Sequence, residues 1–144
     1  MKIIGDAWLK IRNNYDIEMC LENGWEWVQG RNYDALINKK KVEVKKSKSN
    51  SVIIKCQQLS EIELKHELSD IFYLYILTDK TQDNILEAIQ IKALDLCKCL
   101  KITSENVKNI INVHEEFKCT IQTTISISKI KKQCNFESYQ VVTK

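Results

Sequence analysis

The sequence contains no proline, three glycines and two histidines among its 144 residues. A chain so poor in proline and glycine is not expected to contain a long flexible linker. With only His66 and His114, and with Cys97 and Cys99 not at zinc-finger spacing, we do not expect a Cys/His zinc site. The scarcity of histidine also argues against nuclease chemistries built on several histidines. Long apolar runs are also missing, so we expect no signal peptide within residues 1–14 and no membrane-spanning segment.

The composition predicts one folded domain, or one core with a small appendage. Hydrophobic residues make up 44% of the chain and charged residues 28%, which are ordinary values for a folded soluble protein. The net charge of +3 permits nucleic-acid binding without arguing for it. The six cysteines lie within apolar patterns, where a thiol packs as a small hydrophobic group. We therefore expect reduced cysteines and a cytoplasmic protein.

Residues 32–47 predict two short strands joined by a tight turn. Because side chains alternate along a strand, one face of this pair is apolar and the other carries charge. The apolar face consists of Ala35, Ile37, Val42 and Val44, and the charged face consists of Asp34, Glu43 and Lys45. The charged face is therefore the first candidate for a site.

The turn decides which residues lie opposite each other. If residues 38–39 form the turn and Ile37 pairs with Lys40, then Asp34 lies directly across from Glu43, with Cβ atoms about 5 Å apart. Like charges at that distance destabilise a sheet, and a cation between them removes the repulsion. Mg²⁺ takes oxygen ligands and commonly uses one or two carboxylates together with substrate phosphate.

Lys45 lies two residues beyond Glu43 and points to the same side of the strand. Its ammonium group can polarise a water molecule or offset the charge of a phosphate. Two carboxylates and a lysine on one hairpin face suit metal-assisted phosphodiester hydrolysis. The same pattern also fits a lysine-rich amphipathic hairpin whose charged face is only a solvated surface, and this interpretation stays open.

Asp34 followed by Glu43-Val44-Lys45 resembles the signature of the PD-(D/E)XK nuclease superfamily, and type II restriction endonucleases most. The resemblance implies that Asp34 and Glu43 hold Mg²⁺, with Mn²⁺ as a substitute, and that Lys45 activates the attacking water. Tyr33 stands where the eponymous proline would be, at a position that varies widely in the superfamily.

The order of elements around the hairpin fits the same superfamily. We expect a helix from Asp6 to Gly24, a strand over residues 25–29, the hairpin, a fourth strand over residues 52–57, a helix over residues 61–69 and a buried strand over residues 71–78. This order of a helix, three or four strands, a helix and a buried strand matches the αβββαβ core of the superfamily. Glu18 lies at the edge of the apolar stripe of the first helix, and the resemblance makes it a candidate third carboxylate. Otherwise Glu18 reaches solvent or pairs with a lysine.

The second half of the chain predicts a helical hairpin and a β extension. Helices are expected over residues 84–100 and 104–117. Residues 96–107 resemble a helix-turn-helix, whose second helix would enter the major groove, although an ordinary helical hairpin is the favoured interpretation. A long half-buried strand over residues 120–130 is followed by a basic turn and a returning strand over residues 139–142.

We therefore predict an α/β fold, with a restriction-endonuclease-like αβββαβ core, a mixed central sheet of about five strands and a C-terminal helical and β extension. Residues 1–82 would form the nuclease core. Residues 83–144 would pack on it, so that the chain makes one compact domain.

The function that follows from this resemblance is a Mg²⁺-dependent, site-specific endonuclease acting on double-stranded DNA. One small domain carries one site, so cutting both strands favours a homodimer. Polar and basic residues beyond the hairpin and in the C-terminal turn are the candidates for DNA contact. They are Lys46, Ser47, Lys48 and Asn50, followed by Lys129, Lys131 and Lys132.

Three other interpretations stay open. A structure-specific nuclease of the same superfamily, such as a Holliday-junction resolvase, would cut branched DNA. A non-enzymatic helix-turn-helix protein would bind DNA through Asn106 and Lys108 and would not need Asp34. An inactive relative serving as a protein-interaction module would have no need of the intact Asp34, Glu43 and Lys45.

Overall fold

The structure is a computed structural model that describes residues 2–4, 20–21, 23–28, 32–81 and 84–142. Within these residues, the strands are β1 (Lys2–Ile4), β2 (Glu26–Trp27), β3 (Ala35–Ile37), β4 (Lys40–Ser47), β5 (Ser51–Lys55), β6 (Ile71–Thr78), β7 (Ile85–Lys92), β8 (Gln122–Ser126), β9 (Phe136–Ser138) and β10 (Gln140–Val142). The helices with defined bounds are α1 (Cys56–Leu64), α2 (Ala93–Leu100), α3 (Ser104–Phe117) and α4 (Ile127–Gln133). Most of the predicted first helix, including Glu18, lies outside the described residues.

The end of that first helix has the predicted cap. Gly24 has a φ of +70°, the left-handed conformation in which glycine carries no steric penalty. Its N–H donates to the Leu21 carbonyl at 3.3 Å, and the Trp25 N–H donates to the Cys20 carbonyl at 2.8 Å. These two bonds form a Schellman motif, which satisfies the last carbonyl groups of a helix.

A mixed sheet with the strand order β2-β3-β4-β6-β7-β9 lies at the centre of the fold. Strands β4 and β6 are parallel, and the other neighbouring pairs are antiparallel. Parallel neighbours need a crossover connection, which β5 and α1 provide here. The protein is therefore a mixed α/β structure, as predicted, with six strands in the central sheet rather than about five.

The central sheet separates two apolar clusters. Strand β6 was predicted to be buried on both faces, and seven of its eight residues are buried. The first cluster includes Val42, Val44, Leu74 and Ile76, and the second includes Leu59, Tyr73, Tyr75 and Ile89. Glu43 pairs with Tyr73 and Lys45 with Tyr75, so these two charged residues of β4 lie on the face of the second cluster.

The hairpin between β3 and β4 has the predicted register. Ile37 pairs with Lys40, and Asn38 and Lys39 form the turn. Their φ values are +50° and +67°, as the two central residues of a type I′ turn require. The turn therefore fixes which side of β4 carries Glu43.

The predicted boundaries for residues 52–69 were wrong. The strand β5 ends at Lys55, and the helix α1 begins at Cys56, five residues before the predicted start at Glu61. Strand β5 pairs with β8 rather than joining the central sheet. The Cys56 N–H donates to the Ile121 carbonyl at 2.7 Å, so a segment far along the chain decides where the strand ends.

The prediction of a helix over residues 84–100 was also wrong. Residues Ile85–Lys92 form β7, and only Ala93–Leu100 are helical. The four consecutive residues Ala88, Ile89, Gln90 and Ile91 are all buried. A strand between β6 and β9 buries both of its faces, whereas an amphipathic helix buries only one.

The predicted strand over residues 120–130 is shorter than expected. It ends at Ser126, whose hydroxyl accepts a hydrogen bond from the Lys129 N–H at 3.2 Å and caps α4. The segment predicted as a basic turn is therefore a helix, which carries Lys129, Lys131 and Lys132. The returning strand is present as β10, which pairs in parallel with β1.

The helix α3 lies where it was predicted. Thr103 is its N-cap residue, and the Thr103 N–H donates to Asn106 Oδ1 at 2.9 Å. The helix packs on α1, and Val107 on its inner face is buried. In the part of the chain that the structure describes, no helix has both the length and the apolarity needed to span a bilayer.

The turn provides a test of the hairpin. Replacing Lys39 with glycine is expected to raise the free energy of unfolding by about 1 kcal/mol, because glycine removes the cost of a left-handed residue with a Cβ atom. The measurement is equilibrium unfolding in urea. The control is Lys48→Gly, at an exposed lysine outside the left-handed region, which should destabilise the fold. A loss of stability in Lys39→Gly would contradict the assigned turn.

Candidate active site

Asp34 is fixed at the start of the hairpin by hydrogen bonds to β4. Its N–H donates to the Val42 carbonyl at 2.9 Å, and its Oδ2 accepts from the Val44 N–H at 3.0 Å. Asp34 directly precedes β3 and lies outside the regular ladder, whose last pair is Ala35 with Val42. The backbone of β4 therefore holds the Asp34 carboxylate beside Glu43, although the two residues are not ladder partners.

Glu43 is a buried carboxyl group in the middle of β4, with 6% of its surface exposed. It is hydrogen bonded to the Asp34 side chain. Its Oε2 accepts from Gln58 Nε2 at 2.8 Å, and its Oε1 lies 3.6 Å from Lys45 Nζ. The structure thus brings together the three residues that the hairpin pattern singled out, Asp34, Glu43 and Lys45.

The electrostatics of Glu43 follow from this environment. Burial, the hydrogen bond to Asp34 and the Asp34 charge together raise the pKa of Glu43 from 4.5 to about 7. The Lys45 charge and the Gln58 hydrogen bond act in the opposite direction. Near neutral pH, Glu43 therefore holds a proton beside Asp34 in about half of the molecules, unless a cation takes its place.

Gln58 and Tyr73 position Glu43, and the sequence did not identify either residue for this role. The Tyr73 hydroxyl donates to Gln58 Oε1 at 2.7 Å, which leaves the Gln58 NH₂ group facing Glu43. Burial raises the pKa of Tyr73 well above its ordinary value, so its hydroxyl remains a donor. Gln58 was placed between two predicted elements, and Tyr73 was interpreted as part of an apolar run. Identifying Gln58 from the sequence would have required the correct start of α1, at Cys56.

Lys45 is the partly exposed charge of the site, because 33% of its side-chain surface is accessible to solvent. Its ammonium group lies beside the buried carboxyl group of Glu43, and part of the side chain remains open to solvent. This placement allows it to contact a water molecule or a phosphate oxygen that approaches Glu43.

Asp34 and Glu43 are the residues that could hold a metal ion. No cluster of three or more His, Cys, Asp or Glu side chains suited to a metal occurs in the described residues. Two carboxylates suffice for Mg²⁺ when waters and substrate phosphate complete its coordination. Their close contact and the raised pKa of Glu43 fit a cation, because a metal ion relieves the same repulsion that the shared proton now relieves.

The first group of candidate DNA contacts continues from the site along β4. Lys46 and Ser47 end this strand, and Lys48 and Asn50 lie in the bend that follows. The Ser47 hydroxyl donates to the Ser51 carbonyl at 2.7 Å, which holds the bend closed. Lys48 and Asn50 are exposed and therefore accessible to a phosphate backbone.

The second group lies on α4. The Ile127 N–H at the start of α4 donates to the Asn50 carbonyl at 2.8 Å, so the two groups adjoin at this bond. Lys129 and Lys132 are exposed. Lys131 instead forms an ion pair with Glu87 and lies over the Phe136 ring, 5.9 Å from its centre. Lys131 is therefore the least accessible of the three for DNA.

Comparison with known proteins gives no family assignment, because no protein-family profile matches the chain and no curated sequence is significantly similar to it. Function is therefore inferred from the chemistry of the site. The site contains the paired carboxyl groups of Asp34 and Glu43 and the ammonium group of Lys45. Gln58 and Tyr73 support Glu43 through hydrogen bonds.

The raised pKa of Glu43 predicts how stability depends on pH. The folded protein binds this proton more tightly than the unfolded chain between pH 4.5 and about 7, so stability falls as pH rises through this window. We expect the free energy of unfolding of the metal-free protein to drop by on the order of 2 kcal/mol between about pH 5 and about pH 8. Urea denaturation in EDTA measures this slope.

Two matched variants test whether Glu43 is the group that causes this pH dependence of stability. Glu43→Gln should lose most of the slope, because the amide does not ionise. Glu137→Gln makes the same chemical change at an exposed position on β9 and should keep the wild-type slope. Equal slopes in wild type and Glu43→Gln would show that Glu43 does not carry the effect.

Proposed function

We propose that this protein is a Mg²⁺-dependent DNA endonuclease of the PD-(D/E)XK type. The observation that carries the proposal is the contact between the Asp34 and Glu43 carboxyl groups, with Lys45 Nζ 3.6 Å from Glu43. Two carboxylates that face each other in a half-buried site, beside one ammonium group, suit phosphodiester hydrolysis assisted by a metal ion.

The order of elements supports the same proposal. Helical residues 20, 21 and 23 precede β2, β3 and β4, and β5 and α1 then lead to β6, which lies parallel to β4. With β5 set aside, because it pairs with β8, this succession follows the αβββαβ order expected of the superfamily. Asp34 directly precedes the second strand of that order and Glu43 lies on the third, close to the positions that the resemblance implies.

Each residue of the site has a role in the proposed reaction. Bound Mg²⁺ would polarise the scissile phosphate and offset its charge. Asp34 and Glu43 supply the metal ligands, and Lys45 orients the attacking water and helps to remove its proton. Gln58, held by Tyr73, keeps the Glu43 carboxylate in place. Glu18 remains a candidate for an additional carboxylate.

The proposed substrate is double-stranded DNA. Basic and polar residues follow Lys45 to the end of β4, and the exposed Lys48 and Asn50 then adjoin the start of α4, which would give the phosphate backbone a path along this surface. One chain carries one such site, so a homodimer would place a site on each strand. Cleavage of branched DNA is the second candidate, and the pocket beside Lys45 described in the next subsection favours it.

The first test is cleavage of long duplex DNA and of a four-way junction in Mg²⁺. We expect cutting by the wild type, no cutting in EDTA and a loss of at least about a hundredfold in Asp34→Ala and Lys45→Ala. Asp70→Ala is the control, because it removes an exposed aspartate that lies just before β6. Metal-independent cutting, or full activity in Asp34→Ala, would exclude this site as the catalytic centre.

The second test follows metal binding without using activity. A metal ion at Asp34 and Glu43 must displace the proton that they share, so Mg²⁺ affinity should fall as the pH drops below the Glu43 pKa of about 7. Calorimetry in buffers of different ionisation enthalpy should detect up to about one proton released per metal ion near pH 6. The release should vanish in Glu43→Gln and persist in Glu137→Gln. Metal binding without pH dependence would contradict the assigned ligands.

A further inference from the structure

A pocket of about 280 Å³ opens beside the candidate active site. Lys45 forms part of its wall, so the pocket begins at the residue that also faces Glu43. Strand β5 supplies Val52, Ile53 and Lys55, β6 supplies Tyr75 and β8 supplies Gln122. None of the described residues that line this pocket is acidic.

The lining combines an apolar wall with a basic rim. Ile53 is 54% exposed, although it is a large aliphatic residue on a strand. Lys45 and Lys55 bring positive charge to the edge, and Gln122 brings an amide. The volume lies near the lower end of the range of about 300–1,000 Å³ typical of small-molecule sites, which suits one nucleotide better than a bare phosphate ion.

Tyr75 adds a hydrogen-bonding group that nothing in the described residues satisfies. The residue is 1% exposed, and its hydroxyl has no hydrogen-bond partner there. A buried hydroxyl without a partner costs free energy in the folded protein. Buried polar groups of this kind are uncommon and often mark a binding site. A ligand that enters the pocket can supply the missing partner.

We propose that this pocket binds an unpaired nucleotide of the DNA strand, next to the phosphate that the site cleaves. The base would lie against Ile53, Val52 and Tyr75, and its phosphate would lie between Lys45 and Lys55. A base must leave the duplex before its face can contact protein side chains in this way. The preferred substrate is therefore DNA with an unpaired segment at the cleavage point, an inference that rests on the proposed function.

Binding measured in EDTA tests the pocket without cleavage. The probes are two fluorescent DNAs of one sequence, a fully paired duplex and a fork with unpaired arms. We expect the wild type to bind the fork at least about fivefold more tightly, from stacking of one base. Ile53→Asp should abolish this preference, because the carboxylate repels the phosphate and disrupts the apolar wall.

The matched control is Leu86→Asp, which makes a similar change at an exposed leucine on β7 outside this pocket. It should keep the preference for the fork. Equal binding of both probes by the wild type would overturn the proposal, as would an unchanged preference in Ile53→Asp.

A second pair of variants tests the Tyr75 hydroxyl. Tyr75→Phe should leave the Tm of the free protein unchanged or raise it, because it removes an unsatisfied group. It should also weaken binding of the fork about fivefold if the ligand supplies the partner. Tyr73→Phe breaks an existing hydrogen bond to Gln58 and should lower the Tm. A Tyr75→Phe variant with a lower Tm and unchanged affinity for the fork would contradict the assignment.

The outcomes distinguish this proposal from the proposed function. A fork preference that depends on Ile53, in a protein that cuts no DNA, would support the pocket and exclude the nuclease. Mg²⁺-dependent cutting that depends on Asp34, without any fork preference, would support the nuclease and exclude the pocket.

Discussion

The contact between the Asp34 and Glu43 carboxyl groups is the constraint around which the site is arranged. Two acidic groups in a half-buried position repel each other, and burial makes the charged form of Glu43 still less favourable. The fold nevertheless holds both groups in place, through the Val44 N–H on Asp34 and the Gln58 amide on Glu43. Burial and the Asp34 charge favour a proton on Glu43, as its raised pKa indicates, and a bound cation would offset the same repulsion.

Both local and long-range structure hold this pair of carboxyl groups in place. The type I′ turn and the β3–β4 register are local, and they set Asp34 beside Glu43. The crossover from β4 through α1 to β6 is long-range, and it brings Gln58 and Tyr73 to the same carboxyl group. A hairpin alone would show the charged face, but only the complete α/β core buries Glu43 and raises its pKa.

This division explains how much could be predicted from the sequence. The alternation around residues 38–39 determined the hairpin register, and the uninterrupted apolar run determined β6. The pattern of Ile85, Ala88 and Ile89 fits one face of a helix, and pairing with β6 and β9 made it a strand instead. Gln58 was not identified because the start of α1 depends on a hydrogen bond to Ile121, a residue far along the chain. Local sequence patterns therefore identified the two carboxylates. Gln58 and Tyr73, which support them, are brought to the site by contacts between distant segments of the chain.

The position of α3 bears on how a nuclease of the proposed kind would choose its substrate. Reading base pairs directly requires an element that enters a groove and presents side chains to base edges. The helix α3 resembles such an element in sequence, yet it packs on α1, and Asn106 at its start accepts the Thr103 N–H as part of a cap. Lys45, in contrast, borders both the carboxyl pair and the pocket of β5, β6 and β8. Under the proposed function, this one side chain would link the reacting phosphate to a neighbouring nucleotide, which would favour selection by an unpaired base over selection by sequence.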